Sequence, residues 1–285
     1  TFEDSHDWNN IHHVPYESFG GESKFLRTLN YQFNSWQNLK KSDSKWIQSI
    51  GVSSFKCDVV QVPYINHAWE KLRDKITPLS NQNVFTKIFD ESVSSYKLYL
   101  EKQIYRPNKR FIAVSHSVKK ELMEFFDIPS ENIEIIYNGV DAEHFVHWKD
   151  SPEKRRDVRK ELGFHEKDFV LLQVGAFTPR RGLLQGLQVL SVLKKNQLNQ
   201  VKLLAVGKGE QTLFKKWVKK LDLEDRVVFA TPKHSLRDYY WASDTLFFPS
   251  YYEPFGLPVL EALACELPVV TSALAGCSEI LKDHQ

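Results

Sequence analysis

The residues FVLLQV (169–174), followed by GAFTPRRG (175–182), decide the fold class of this 285-residue chain. A short, mainly apolar run that ends at a glycine predicts a buried strand, and residues 183–195 then carry leucines at the three- and four-residue steps of a helix. This alternation continues to the end of the chain. It predicts strands at 201–206, 227–230, 245–249 and 268–271, and helices at 212–221, 235–243 and 257–265. Such an order is typical of a parallel sheet with crossover helices and predicts a doubly wound, Rossmann-like α/β domain.

The first half of the chain contains fewer strand-like runs. Residues 57–62 and 110–115 are predicted to be buried strands, and residues 22–41 and 92–103 to be helices. Because two strands do not make a full Rossmann sheet, we expect an incomplete N-terminal domain, abridged by truncation, disorder or natural deletion. The alternative is a small irregular α/β lobe. The chain starts at Thr1 and stops directly after an apolar segment, so we expect both ends to be cut.

The predicted junction between the two domains is IIYNGVD (residues 135–141). An apolar strand runs here into an Asn-Gly pair, the pair best suited to positive φ. We therefore predict a hinge that separates an N-terminal domain, residues 1–137, from a C-terminal domain, residues 138–285. The charged residues 149–161 are expected to form a solvated helix face that leads into the second domain.

Composition and charge limit the classes of function. The chain has 42% hydrophobic residues, a net charge of +2 and a pI near 8.2, which predicts a folded protein without a nucleic-acid partner. The three cysteines, Cys57, Cys265 and Cys277, form no C-x-x-C spacing and indicate a reducing, cytoplasmic compartment. No apolar run reaches the roughly 18 to 20 residues of a membrane span, and no signal segment opens the chain.

Peripheral contact with the inner face of a membrane is a further hypothesis. It is motivated by aromatic and basic residues of the first lobe, namely Trp36, Trp46, Trp69, Lys40 and Lys41. The alternative is that these residues are ordinary core and rim.

Ligands of open α/β sheets bind beyond the carboxyl ends of the strands, so the loops after the predicted strands are the candidate site. The loop at 175–182 places Arg180 and Arg181 at a helix start, where planar guanidinium groups and free amides suit a diphosphate. The alternative is a solvated arginine pair. The loop GKGE (residues 207–210) either approaches a ligand with its backbone or simply turns the chain.

The loop after the strand at 245–249 contains a second group of candidate ligands. Glu253 lies on this loop, and the amides of Phe255, Gly256 and Leu257 are expected to be unpaired at the helix start. Glu261 lies about one helical turn further, and its side chain leans toward the same crevice. Two carboxylates that accept sugar hydroxyls, beside amides that take charged oxygens, fit a nucleotide sugar. The alternative is that Glu253 caps the helix and Glu261 is an exposed helix position.

The sequence around these residues resembles a known enzyme family. PSYYEPFGLPVLEALA (residues 249–264), with PVV (268–270) and GCSEIL (276–281), resembles the E-x7-E region of the family 4 retaining glycosyltransferases. RRG (180–182) is similar to the family's phosphate clamp, and NGVD (138–141) matches at the domain junction. FGGE (19–22) looks like the family's glycine-rich N-terminal loop, in a setting similar to the bacterial lipopolysaccharide-core glucosyltransferases.

The resemblance implies a GT-B fold, in which two Rossmann-like domains face a cleft and the N-terminal one lies on the acceptor side. It also implies that Glu253 and Arg181 are catalytic, with Glu253 on the donor sugar. The remaining donor contacts that it implies are Gly20, Gly21, Arg180, Phe255, Gly256, Leu257 and, for the ribose, Glu261. The implied donor is a nucleoside-diphosphate sugar, which we expect to be UDP-linked, and no cofactor or metal is expected.

The predicted function is retaining transfer of a hexose to a hydroxyl of a glycan or lipid-linked acceptor. The first alternative is a non-catalytic homologue that acts as a scaffold or regulatory subunit, and the second is another GT-B enzyme such as a sugar-nucleotide epimerase. One departure from the family concerns the end of the E-x7-E helix. Where relatives usually have glycine, this chain has Glu266, a residue that tolerates positive φ poorly.

Overall fold

A computed structural model describes residues 46–76, 84–232 and 235–281 of the chain. Its backbone divides into two compact units. Of the described residues, 46–66, 84–112 and 122–134 belong to the first unit, and the others belong to the second. The predicted domain boundary between residues 137 and 138 stays a prediction.

The first unit is built on a sheet with the strand order β1-β2-β3-β4, in which β1 and β2 are parallel. Its strands are β1 (Gln48–Ile50), β2 (Val59–Val62), β3 (Arg110–Ala113) and β4 (Ile133–Ile135). The prediction of only two strands was wrong. Residues 57–62 and 110–115 correspond to β2 and β3. Strand β1 has three residues with a single buried one, too little pattern to recognise, and β4 ends at Ile135, where the apolar strand of the junction was predicted to begin.

The helices of the first half are α1 (Asn66–Ile76), α2 (Val84–Ile104) and α3 (His116–Phe126). Helix α2 contains the helix predicted at 92–103, and the helix predicted at 22–41 lies outside the described residues. The fully buried carboxylate of Glu101 accepts hydrogen bonds from the backbone and side-chain nitrogens of Asn66, at 2.6 and 2.7 Å. Glu101 therefore accepts the first backbone amide of α1, which has no partner within the helix.

The second unit contains a parallel sheet with the strand order β7-β6-β5-β8-β9. Its strands are β5 (Phe169–Val174), β6 (Val201–Val206), β7 (Val227–Ala230), β8 (Thr245–Phe248) and β9 (Val269–Thr271). The connecting helices are α4 (Pro152–Glu161), α5 (Leu183–Lys195), α6 (Thr212–Lys220), α7 (Leu236–Ala242) and α8 (Leu257–Ala264). Every strand and helix predicted from residue 169 onward is present, so the doubly wound α/β prediction is confirmed.

Both faces of this sheet are covered by helices. Val170 and Leu172 of β5 belong to one buried cluster, which includes residues of α7 and α8, whereas Leu171 between them belongs to another, which includes residues of α5 and α6. Because successive strand residues point to opposite faces, a strand buried on both sides has a continuous apolar sequence. This burial explains why β5 and β6 could be recognised from sequence alone.

The strand order places the candidate loops at the point where the order of the sheet reverses. Numbered within the unit, the strands run 3-2-1-4-5, so the order reverses between β5 and β8, which pair through Leu171 with Thr245 and Leu172 with Leu246. Doubly wound sheets bind ligands at this switch point, beyond the carboxyl ends of the strands. The two loops that flank it are residues 175–182 and 249–256, the loops that contain the predicted arginines and Glu253.

The predicted Asn-Gly turn at the junction is not formed. Strand β4 ends at Ile135, and neither Asn138 nor Gly139 has a positive φ. The local turn forms instead at Asp141, whose Oδ1 accepts hydrogen bonds from the amides of Glu143 and His144 at 3.0 and 2.9 Å. An aspartate side chain that bonds to the amides ahead of it competes effectively with an Asn-Gly turn nearby.

The expectation of a solvated charged face at residues 149–161 was also wrong in one respect. Arg159 of α4 is only 6% exposed. Its guanidinium donates to the carbonyl oxygens of Ala242, His165 and Asp168 at 2.9, 2.9 and 2.6 Å, and lies 3.3 Å from Asp244 Oδ2. Arg155 pairs with the other oxygen of Asp244 at 2.7 Å. This arginine pair joins α4 to the start of β8, which no local pattern reveals.

The membrane hypothesis rests on residues that the structure places differently. The Trp69 ring stacks on Tyr252 with centroids 6.5 Å apart, which accounts for it as a packing residue, whereas Trp46 is 67% exposed. Trp36, Lys40 and Lys41 lie outside the described residues. Within the described part of the chain, no helix combines the length and apolar character that crossing a bilayer requires.

Glu266 adopts the left-handed conformation that the sequence made doubtful. Its φ is 54°, its amide donates to the carbonyl of Leu263, and the amide of Leu267 donates to that of Ala262. These two bonds form a complete Schellman motif at the end of α8, with a glutamate where glycine is usual.

We expect Glu266→Gly to raise the free energy of unfolding by about 1 kcal/mol, because glycine removes the Cβ penalty at positive φ. Urea unfolding of the variant measures the change. Glu266→Ala serves as the control, since it removes the carboxylate but keeps Cβ. Equal stabilisation by both variants would contradict the backbone explanation.

Candidate functional site

The loop after β5 reaches the end of β8 through Gly182. Residues Pro179–Arg181 form a short 3₁₀ turn, and Gly182 follows with a φ of 72°. A Cβ atom on Gly182 would lie 2.1 Å from the carbonyl oxygen of Pro249, so only glycine allows this approach. The backbone of Tyr251 also donates to the carbonyl of Arg180 at 2.9 Å. The two loops at the switch point are thus joined.

Glu253 is the centre of the contacts between these loops. It is 8% exposed, and its Oε2 forms an ion pair with Arg181. Arg180 Nη1 lies 3.6 Å from the same oxygen and donates to the carbonyl of Tyr252 at 2.8 Å. The Arg181 guanidinium also lies over the Phe248 ring, 5.7 Å from its centroid. Arg180 and Arg181 are therefore not a freely solvated pair, and the buried Glu253 carboxylate pairs with them while α8 has no side-chain cap.

The backbone amides at the start of α8 are the predicted hydrogen-bond donors to the ligand. Gly256 is the N-cap of this helix without a side-chain cap, and the first helical hydrogen bond runs from Val259 N to Gly256 O. The amides of Phe255, Gly256 and Leu257 precede this bond, at the positive end of the helix dipole. The Phe255 ring is buried and the Leu257 side chain is exposed, and the predicted ligand role concerns their backbone amides.

Glu261 has a buried partner that sequence analysis missed. The hydroxyl of Tyr240 donates to Glu261 Oε2 at 2.6 Å, so Glu261 is not an exposed helix position. Burial raises the pKa of Glu261, and the Tyr240 hydrogen bond and the charge of His144 oppose that rise. Burial and the neighbouring Glu261 raise the pKa of Tyr240 well above its ordinary value, so the phenol remains a donor. Tyr240 was not recognised from the sequence because it lies in the segment YYW, residues 239–241, a pattern typical of core residues.

The loop after β6, residues 207–210, packs closely against the loop after β5. A Cβ atom on Gly207 would lie 1.8 Å from the carbonyl oxygen of Gly175, and Phe177 N donates to Lys208 O at 2.9 Å. Of the two roles left open for residues 207–210, close backbone packing is the observed one. This packing supports the loop that carries Arg180 and Arg181.

A segment after β9 holds the Glu253 loop from the other side. Gly276 N donates to Glu253 O at 2.8 Å, and Cys277 N donates to Phe255 O at 2.7 Å. In the same segment, the carboxylate of Glu279 accepts the amides of His116 and Ser117 at 2.8 and 2.9 Å, and so caps α3. Glu279 belongs to the GCSEIL segment, residues 276–281, but the sequence did not predict a role for it.

The structure therefore brings Arg180, Arg181 and Glu253 together at the switch point. Gly20 and Gly21 lie outside the described residues. The ligand and catalytic roles of all these residues stay predictions.

Two family models match the chain. One, described as glycosyl transferases group 1, covers residues 154–285, and the other, described as Glycosyltransferase Family 4, covers residues 2–144, half of the chain. The chain belongs to glycosyltransferase family 4. The expected membership of this family is confirmed.

Individual relatives agree with this assignment. The chain is 30% identical to the lipopolysaccharide glucosyltransferase WaaG of Escherichia coli K12 over 132 residues, which are 46% of this chain and 35% of WaaG. It spans less than half the length of the curated relatives it matches, for example 35% and 49% of two of them.

Solved structures show the same fold. The crystal structure of WaaG matches with a TM-score of 0.72 at 20% identity, over 94% of this chain and 69% of that chain. Anabaena HepE in complex with UDP-glucose matches with a TM-score of 0.59 at 21% identity, over 80% of this chain and 63% of that one. The predicted GT-B architecture, with two Rossmann-like halves, is confirmed.

Proposed function

We propose that this chain carries the donor site of a retaining glycosyltransferase that moves a hexose from a nucleoside-diphosphate sugar, UDP-linked, to a hydroxyl of a glycan or lipid-linked acceptor. Membership of glycosyltransferase family 4 supports the class of reaction. Two similar proteins support the choice of donor and acceptor class: one is the lipopolysaccharide glucosyltransferase WaaG, and the other is HepE, whose structure was solved in complex with UDP-glucose.

The observation that carries the proposal is the Arg180, Arg181 and Glu253 cluster at the switch point of the sheet. Two fixed cations beside a helix start provide charge and amides for a diphosphate. A carboxylate held next to them accepts hydroxyls of the sugar that the diphosphate carries. Glu261, on α8, accepts hydroxyls of the ribose.

In the proposed reaction, the bond between the anomeric carbon and the diphosphate oxygen breaks, and the acceptor oxygen bonds to the same face of that carbon. The acceptor proton passes to the leaving diphosphate oxygen. The main requirement is stabilisation of the negative charge that develops on the leaving group. Arg180, Arg181 and the amides at the start of α8 supply it, and the proposal assigns no step to a metal.

Ligand-dependent stability and transfer test this proposal. At a ligand concentration about 100 times the dissociation constant, UDP or UDP-glucose should raise the free energy of unfolding by about 2.7 kcal/mol. This stabilisation is measured as a higher melting temperature. Arg181→Ala should remove most of this shift, whereas Arg156→Ala, at an exposed position of α4, should not. Transfer of labelled glucose to a glycan acceptor should persist in EDTA.

Each outcome has a distinct meaning. Unchanged nucleotide-sugar affinity in Arg181→Ala would show that the site is misassigned. Binding without donor hydrolysis or transfer would favour the non-catalytic scaffold over the enzyme. Loss of transfer in EDTA, restored by a divalent cation, would overturn the metal-independent step.

A further inference from the structure

The hydrogen bond between Tyr240 and Glu261 divides the two oxygens of one carboxylate between two tasks. Oε2 accepts the phenol hydroxyl at 2.6 Å. Oε1 accepts no hydrogen bond from the described part of the chain, and it is not enclosed by protein. One oxygen is therefore fixed to the protein core, and the other is available to an external hydroxyl group.

Tyr240 is itself rigidly held. It is a residue of α7, is 1% exposed and belongs to the buried cluster that includes residues of α7 and α8. Its ring packs edge to face against Phe145, with centroids 5.9 Å apart. A buried tyrosine usually needs a partner for its hydroxyl, and here that partner is the carboxylate alone among the described residues.

We infer that Tyr240 is a positioning residue for nucleoside recognition: its hydroxyl orients the Glu261 carboxylate so that Oε1 accepts the ribose hydroxyls of the donor. This inference rests on the proposed function, which places the ribose at Glu261. A carboxylate on a helix has several rotamers, and a short bond to a rigid donor selects one of them. Preorganised acceptors bind hydroxyls more tightly because less freedom is lost on binding.

Tyr240→Phe tests the inference, since it deletes one oxygen atom and leaves the packing of the ring. The measurement is calorimetric affinity of the whole 285-residue chain for UDP and for 2′,3′-dideoxy-UDP, which lacks the ribose hydroxyls. Tyr240→Phe should lower UDP affinity about tenfold or more and leave dideoxy-UDP affinity unchanged, so the preference for the ribose hydroxyls falls.

The adjacent tyrosine provides a matched control. Tyr239 is equally buried, and its hydroxyl donates to the carbonyl of Thr231 at 3.2 Å rather than to Glu261. Tyr239→Phe should keep the preference for UDP over dideoxy-UDP. Combining Tyr240→Phe with Glu261→Gln should add little to the effect of Glu261→Gln alone, because both changes disable the same acceptor.

The outcomes separate this inference from the proposed function. If the unmodified chain binds UDP with a ribose preference that Tyr240→Phe retains, the positioning role is wrong and the proposed function stands. Equal losses for UDP and dideoxy-UDP, or for both tyrosine variants, would show a merely structural hydroxyl and also overturn the role. Failure of the unmodified chain to bind UDP would overturn the proposed function, and the inference with it.

Discussion

Arg159→Ala should lower the free energy of unfolding of the second unit by about 3–5 kcal/mol, because it leaves buried partners without their cation. Arg159 is 6% exposed, and it bridges three backbone carbonyls and Asp244. Val170 N also donates to Asp244 Oδ2 at 2.7 Å, so the network includes the first buried residue of β5. Urea unfolding followed by tryptophan fluorescence measures the loss, since Trp241 lies beside this network.

The same helix provides the control for this prediction. Arg156 of α4 is exposed, and Arg156→Ala should change stability by no more than about 0.5 kcal/mol. If the two variants unfolded at the same urea concentration, the buried network would not be a source of stability. Arg159→Lys should recover only part of the loss, because a lysine cannot reproduce the guanidinium fork.

Glu253→Gln should reduce hexose transfer by about 100-fold or more, comparable to the removal of one preorganised polar group in an active site. UDP itself should bind at least as tightly as before. The carboxylate now offsets the charges of Arg180 and Arg181, and a neutral amide of the same shape leaves those charges to the diphosphate. Initial rates of transfer and calorimetric UDP affinity, measured on the same preparation, test both parts.

An exposed glutamate provides the comparison. Glu266→Gln changes the same charge on the same segment of chain but should leave both transfer and UDP affinity unchanged. A parallel fall of UDP affinity and transfer in Glu253→Gln would mean that Glu253 only supports the two arginines. An unaltered transfer rate would remove Glu253 from the proposed reaction.

The parts of the fold that the sequence predicted well are those with long and continuous local patterns. Strands β5 and β6 are each six residues long, and four residues of β5 and five of β6 are buried, so their mainly apolar runs are easily recognised. The three-residue strand β1 was missed and β4 was predicted too late in the chain, because hydrogen bonds to neighbouring strands stabilise such short strands more than their own side chains do. The Asn-Gly turn failed for a related reason, since Asp141 supplied a competing side-chain bond.

The candidate site shows the same division. Sequence resemblance identified Arg180, Arg181, Glu253 and Glu261, and the periodic pattern placed them on loops and a helix beyond strand ends. The partners of these residues were not predictable. Tyr240 and Glu261 are separated by 21 residues, and Arg180 and Tyr252 by 72, so their contacts depend on how distant segments pack.

The sequence by itself therefore determined the α/β class, the family and the loops that carry the chemistry, because these depend on local periodicity and on short motifs. Tertiary structure decided which of these groups meet. The reversal of strand order between β5 and β8 brings the arginine loop against Glu253, and core packing brings the phenol of Tyr240 to Glu261. The physical reason is that burial and charge pairing act between segments that are close in space but distant along the chain.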